Sequence, residues 1–303
     1  MAGLITTASI PKALWPGVNA WFGMAYTKHQ TEYLDLFDKN TSDKKYEEQV
    51  QVVGMGLAPA KPEGSPVSYD SLVQGYISRY THTAYAMGFI ISHEEMEDNL
   101  YMELGRQRST ALAFSMNQTK ETIAANVYNN AFSGSFLGAD GASLCSSSHP
   151  TTSAGNLSNI LSTPSTLNES AIESLVIAIG KLVDDRGLKI AVRPKSLVIP
   201  VDLEPDANRI LTSVLQSGTA NNDINYLRQV GMFPEGIKVN HYLTDTNNWF
   251  IRTDVQEGLN YFEREGLKFT QDNDFDTENA KFKAYERYSF GWTDWRAIFG
   301  TNP

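Results

Sequence analysis

Cys145 and His149 stand four residues apart and could be drawn as a thiol nucleophile with its general base. The segment around them is rich in serine and Pro150 follows directly, so a helical i,i+4 geometry is not expected, and no orienting third group is marked. These residues favour a half-buried structural cysteine, with a Cys-dependent enzyme as the alternative. Asp272, Asp274 and Asp276 begin like a calcium loop. Thr277 then occupies the position where the turn wants Gly, and Lys283 the position that requires a bidentate Glu. A solvated acidic turn is the expected outcome and an inter-subunit cation site its alternative. His29, His82, His93 and His241 are scattered without metal-ligand spacing. No glycine-rich phosphate loop, nucleophile elbow or paired-carboxylate constellation occurs. The sequence therefore predicts no catalytic residue, no cofactor and no metal site.

Composition narrows the class. The chain has 303 residues, 41% hydrophobic and 20% charged, which is ordinary for a folded protein of one or two domains. No apolar run reaches the ~18 residues of a membrane span; the longest, Ala84 to Ile91, is broken by Gly88. The N-terminus lacks the basic-then-apolar layout of a secretory signal, and no membrane association is expected. Cys145 is the single cysteine, which rules out an internal disulfide framework and fits a reducing compartment. A net charge of −10 argues against a dedicated nucleic-acid binder but allows a protein that stands near DNA without gripping it.

The chain is organised around the stretch from Ser92 to Phe132. Ser92 and Glu95 have capping-box spacing, Glu94, Glu95, Glu97 and Asp98 favour a helix start, and no proline interrupts the run before Ser133-Gly134. A continuous helix here would be roughly 60 Å long. Met96, Leu100, Leu104, Ala111 and Phe114 form one apolar stripe, and Met116, Ile123, Val127 and Ala131 a second, rotated one. Such a rod is either bent or gripped from different sides. Before it, residues 1–45 read as an arm of short pieces (Trp15-Pro16-Gly17, Trp21, Phe22, Met24, Tyr26) with one or two helical turns at Glu32 to Phe37. The arm either packs on its own domain or reaches a neighbour. Residues 46–91 predict a long β-hairpin, with limbs at Gln49 to Val53 and Gln74 to Ile91 joined by the looping Pro59-Ala60-Lys61-Pro62-Glu63-Gly64-Ser65-Pro66. The second limb could extend roughly 60 Å, and an isolated ribbon is only marginally stable, so it must lie on something.

Ser133 to Thr166 reads as a linker with turns, with Leu144-Cys145 as a short strand. Thr166 and Glu169 suggest a second capping box, followed by Ile172, Leu175, Val176, Ile179, Leu182 and Val183 at helical spacing up to Gly187. Ser196 to Val201 predicts a buried strand. Asp202 and Glu204-Pro205 begin a helix ended by Gly218, and Ile237 to Leu243 and Trp249 to Thr253 follow as strands. This order suggests a compact α/β unit. From Leu259 to Ile298 the pattern is strand again: Phe282, Ala284, Tyr288, Phe290 and Trp292 alternate with Lys281, Lys283, Arg287 and Ser289. Glu286 interrupts the apolar face and needs a partner there. These late strands are expected beside the long helix, making the α/β unit an insertion.

In this order the layout resembles the major capsid (major head) proteins of tailed bacteriophages, with the Hong Kong 97-type fold. Local strings add to the likeness: Gly56-Leu57-Ala58-Pro59 through Lys61-Pro62-Glu63-Gly64, Asp184-Asp185-Arg186-Gly187 leading to Pro194-Lys195, Asn222-Asp223-Ile224-Asn225, Asn240-His241-Tyr242-Leu243-Thr244-Asp245, and Ala284-Tyr285-Glu286-Arg287-Tyr288-Ser289-Phe290-Gly291-Trp292. The resemblance implies an α+β fold with an N-terminal arm (1–45), an extended β-hairpin loop (46–91), a peripheral domain with spine helix (92–154), an inserted axial α/β domain (155–252) and peripheral return strands (253–303). It implies a shell subunit that forms hexamers and pentamers around double-stranded DNA in a virion, assembled in the host cytoplasm. Its partners would be further copies of itself, a portal and, because the arm starts at Met1, a separate scaffolding protein, with a decoration protein as an optional addition. A nanocompartment shell of the encapsulin kind is the alternative. Some relatives join a loop lysine to a neighbour's asparagine covalently. Lys61, beside Glu63, is the lysine placed for this, but the matching Asn and buried Glu are not identifiable, so non-covalent clamping is expected. The inter-subunit contact candidates are Pro59, Lys61, Pro62, Glu63 and Gly64 in the loop and Trp15, Trp21 and Phe22 in the arm.

Overall fold

The computed structural model of the chain describes residues 10–97, 101–215, 224–274 and 277–303. Helices α1 (Ile10–Lys28) and α2 (Tyr33–Leu36) lead to strand β1 (Asp38–Thr41), the pair β2 (Tyr46–Val53) and β3 (Val73–Thr81), and β4 (Thr83–Ile91). Helices α3 (His93–Glu97) and α4 (Tyr101–Asn129) follow, then the short strands β5 (His149–Pro150) and β6 (Asn156–Leu157). The central part holds α5 (Glu169–Gly180), β7 (Pro194–Pro200), α6 (Glu204–Thr212), α7 (Tyr226–Val230), β8 (Ile237–Asn240) and β9 (Trp249–Thr253). The chain closes with β10 (Leu259–Asn273), β11 (Ala280–Trp292) and β12 (Ile298–Thr301). No helix among the described residues is long and apolar enough to cross a membrane.

Two four-stranded sheets, ordered β1-β10-β11-β4 and β12-β9-β7-β8, make this an α+β architecture, as expected. The capping box forms: the Glu95 amide donates to Ser92 Oγ at 3.3 Å, and the Ser92 amide to a Glu95 carboxylate oxygen at 3.2 Å. The expected C-terminal bound of the long helix is corrected. Helix α4 has 29 residues, about 44 Å at 1.5 Å each, and stops at Asn129 rather than at Ser133-Gly134. Residues 98–100, which would join it to α3, and the side chains of Met96 and Leu100 lie outside the described residues. The two-stripe reading is also corrected. Helix α4 buries one continuous stripe of Gly105, Ser109, Leu112, Ala113, Met116, Asn117, Lys120, Glu121, Ala124, Ala125 and Tyr128, while Phe114 is 59% exposed. The stripe was hidden because it carries charged and amide groups where an apolar residue would mark it.

Those charges are answered inside the protein. Lys120 Nζ lies 2.5 Å from Glu286 Oε2 of β11, the two side chains 6% and 1% exposed, and donates to Tyr26 Oη at 3.0 Å. Its ammonium also sits 5.2 Å from the Tyr288 ring centre. Burial works against both charges, raising the Glu286 carboxyl and pulling Lys120 down. The Glu286 carboxylate and the Tyr26 phenol together outweigh burial for Lys120, whose pKa ends above its ordinary value. Glu121, one residue on, accepts the amides of Glu32 and Tyr33 at 2.9 Å each and so caps α2, which has no local side-chain cap.

The arm takes the first of its two alternatives from α1 to β1. Val18, Phe22, Leu36 and Phe37 are buried in the subunit, and Phe22 stacks on Phe269 with ring centres 4.4 Å apart. Helix α1 lies along α4, and β1, whose polar sequence gave no strand signal, pairs in parallel with β10. The second hairpin limb is corrected as well: it breaks at His82, whose ring nitrogens meet Ser289 Oγ (2.9 Å) and Ser42 Oγ (3.0 Å). Strand β3 pairs with β2, whereas β4 joins β11 in the first sheet.

In the second sheet the apolar run of β7 is buried on both faces. Leu197 and Ile199 pack with Ile172, Leu175 and Ile179 of α5, while Val198 turns the other way, with Phe250, onto Tyr128, Leu144 and Cys145. The N-cap of α5 is Asn168, accepting from the Ala171 amide at 2.8 Å, so the expected Thr166 box is displaced by two residues. That helix ends at Gly180, because Leu182 and Val183 run into a turn instead: Asp184 Oδ1 accepts from the Arg186 and Leu188 amides at 2.8 Å each. Helix α6 ends at Thr212, and Gly218 lies outside the described residues. Strand β12, expected among the return strands of the first sheet, pairs with β9. Buried Arg296, held by Asp185 at 2.6 Å, turns the chain there.

Lys120→Met should destabilise the protein by about 3–5 kcal/mol in urea titrations, because it strands a buried carboxylate; K120M combined with Glu286→Leu should recover most of that loss. Glu121 gives a pH signature. Burial pushes its carboxyl up from 4.5 to about 7. The folded chain thus holds this proton more tightly than the unfolded one, and the stabilisation is complete below the unfolded pKa and lost as pH rises through about 7. The unfolding free energy should therefore fall between pH 5 and pH 8 by a contribution of roughly 3 kcal/mol in urea titrations, and Glu121→Gln should flatten that slope.

Candidate assembly surface

The β2–β3 ribbon alternates polar and apolar residues with its polarity reversed. Gln49, Gln51, Ser78 and Tyr80 face the body of the protein; Val50, Val52 and Ile77 face solvent at 47%, 59% and 45% exposure. Val50 and Ile77 are directly opposite each other across the two strands. The inner side is fastened by hydrogen bonds: Asn260 Nδ2 donates to Gln49 Oε1 at 2.8 Å, Gln51 Nε2 to Asp185 Oδ2 at 3.1 Å, and Tyr80 Oη lies 2.6 Å from Thr293 Oγ1. Apart from buried Val53, polar groups therefore bind the ribbon to its own subunit, and Val50, Val52 and Ile77 are left outside, the reverse of a free-standing surface strand.

Residues 54–72 leave the ribbon as a loop whose Leu57 and Tyr69 are 84% and 92% exposed. At its tip the Ser65 amide donates to the Pro62 carbonyl at 3.2 Å, and Gly64 has φ +77°, a turn conformation that disfavours a side chain at that position. Pro59, Lys61, Pro62, Glu63 and Gly64 are all brought together there, in solvent. At the loop base Asp70 accepts from the Gly56 amide at 2.8 Å and from Arg186 Nη1 at 2.7 Å. The Gly56 and Ser71 amides, with Arg186, hold the Asp70 carboxyl down at about 2. The arm candidates fall elsewhere. Trp21 is half-buried beside α4, the Trp15 side chain lies outside the described residues, and Phe22 is corrected from a contact with a neighbour to a part of the subunit's own core, at 2% exposure. The outward valines were missed as surface residues, although the Gln49-Val50-Gln51-Val52 alternation carries them; what it could not show is which face the body would claim.

The chemistry considered for Cys145 and His149 does not come together. Cys145 is buried, and burial pushes its thiol well up. His149 does have an orienting carboxylate, with Nδ1 2.7 Å from Asp140, but its Nε2 faces Asn159 Oδ1 at 3.1 Å and its ring stacks on Trp295. Leu144-Cys145 forms no strand; the Cys145 amide donates to the Ala131 carbonyl at 2.8 Å. Near the β10–β11 turn, Asp274 Oδ2 pairs with Lys281 Nζ at 2.5 Å, and Asp276 lies outside the described residues. Among the described residues no three His, Cys, Asp or Glu side chains are grouped to hold a metal ion.

Comparison with known proteins agrees with this geometry. No curated protein matches the chain in sequence. Among solved structures it is similar to a virus-like particle from Pyrococcus furiosus (9% identity, TM-score 0.54, 95% of this chain and 98% of that one). It is also similar to the capsid of a native GTA particle (13%, 0.52, 88% and 88%) and the procapsid of bacteriophage JBD30 (14%, 0.50, 99% and 76%). At such identities the likeness is one of fold. A family model described as phage capsid protein matches residues 76–300, and the chain belongs to that phage capsid protein family.

Proposed function

We propose that this protein is the repeating subunit of an icosahedral phage head, closing into hexamers and pentamers around double-stranded DNA. Membership of a capsid family makes it a structural protein of the virion. The observation that carries the finer reading is the reversed ribbon: a two-stranded element bonded to its subunit by glutamines and a tyrosine, with Val50, Val52 and Ile77 turned outward. Apolar surface of this kind is covered when a neighbouring copy lies over it. The loop tip extends the same surface, and Lys61 and Glu63 there form charge pairs across the subunit boundary. On this reading the first sheet with α4 is the peripheral domain and the second sheet with α5, α6 and α7 the axial domain. The net charge of −10 suits a wall that holds packaged DNA without gripping it. A portal and a scaffolding protein are the partners that the family resemblance implies.

The test leaves the ribbon intact and removes its apolar face. Val50→Lys with Ile77→Glu places opposite charges across the two strands, so the subunit should melt within a few degrees of the wild type. Negative-stain microscopy should show closed particles from the wild type and at least about tenfold fewer from this variant. A wild type that stays a stable monomer at high concentration, or a variant that closes equally well, overturns the reading. Particles boiled in detergent should run as single subunits; a ladder of linked subunits would instead make Lys61 a cross-linking residue.

A further inference from the structure

Helices α1 and α4 lie side by side and point the same way: Val18 is beside Gly105, and Asn117 Nδ2 further along donates to the Tyr26 carbonyl at 3.1 Å. Their inner faces press on the first sheet. Between their outer faces runs an open furrow of about 670 Å³, lined by Trp21, Met24 and Lys28 from α1 and by Arg106, Thr110 and Phe114 from α4. Met24 and Phe114 are 57% and 59% exposed. Large apolar side chains thus face each other across a groove that no element of the described chain fills.

The charge of the furrow is as distinctive as its shape. Lys28 and Arg106 are exposed along it, and neither makes an ion pair with the described residues. His29 adds a third nitrogen group, with Nε2 3.9 Å from the Glu121 carboxylate. In a chain of net charge −10, this is a basic groove on an acidic protein. We propose that it seats an acidic amphipathic helix of a different protein, with its apolar face on Trp21, Met24 and Phe114 and its carboxylates against Lys28 and Arg106. From Arg106 to Asn117 the furrow follows α4 for about 17 Å, or three turns. A helix is the element that fits a furrow between two helices, at axis separations of about 8–10 Å. Duplex DNA fits it poorly: exposed Met and Phe offer a phosphate backbone nothing, and the cations are few against the ~6–10 contacts of a DNA binder. This inference goes beyond the shell reading and does not depend on it.

Dilute, unassembled full-length chain can be titrated into three dye-labelled probes and followed by fluorescence anisotropy. These are an amphipathic Leu/Glu peptide of about 18 residues, a Leu/Lys peptide with the same apolar pattern, and a short DNA duplex. The Leu/Glu peptide should bind at least about tenfold more tightly than either of the others. Lys28→Glu with Arg106→Glu should abolish that preference, and Met24→Ser with Phe114→Ser should weaken binding at least about tenfold. All four side chains are exposed, so both double variants should melt like the wild type. Equal binding of the two peptides, tighter binding of the duplex, or charge reversal without effect overturns the proposal. So does a change in the chain's own oligomeric state in M24S/F114S without peptide, which would make a second copy the occupant.

Discussion

A buried carboxylate on a strand needs an answering cation, and the first half of this fold is arranged around that requirement. Glu286 projects from the inner face of β11, and Lys120 reaches it from α4 at 2.5 Å. The same ammonium binds Tyr26 of α1, so one charge pair ties two helices to the sheet. Either partner alone would be a strongly destabilising buried charge. Apolar contacts could slide along α4 by a turn; a buried salt bridge cannot, and it sets the register of the helix on the sheet. Glu121, the next residue, extends the same logic to the arm by capping α2.

The reversed ribbon follows from where polar partners are available. Asn260, Thr293 and Asp185 offer hydrogen bonds on the body of the subunit, so the glutamines of β2 turn inward and the valines are left outside. A strand with this alternation has two ways to lie down, and the partners it finds decide between them. On the proposed assembly, that choice would turn a surface liability into a face that a neighbouring copy covers.

Much of the fold was legible in the residues because it rests on local signals. The Ser92–Glu95 box, the α6 start at Glu204-Pro205, the bounds of β9, the alternation of β11 and the isolation of Glu286 are each written in a few adjacent positions. What stayed hidden depends on distant partners. Lys120 and Glu121 look like a solvated face until Glu286 and the amides of α2 meet them. Strand β1 is polar and becomes a strand by pairing with β10, more than two hundred residues away. Of the candidate surface, the loop tip was visible as a proline-glycine cluster. The outward face of the ribbon was not, since period two marks two faces without saying which is inside.

The last strand has a mechanical meaning. The chain leaves the first sheet at β4, builds β7, β8 and β9, returns for β10 and β11, and then crosses once more to lay β12 along the edge of β9. Both sheets are therefore stitched by several passes of one thread, with Val198 and Phe250 of one packed against Tyr128 at the foot of the long helix. A hinge between the two halves would have to open that packing of Val198 and Phe250 on Tyr128, so the crossing resists bending where the sheets meet.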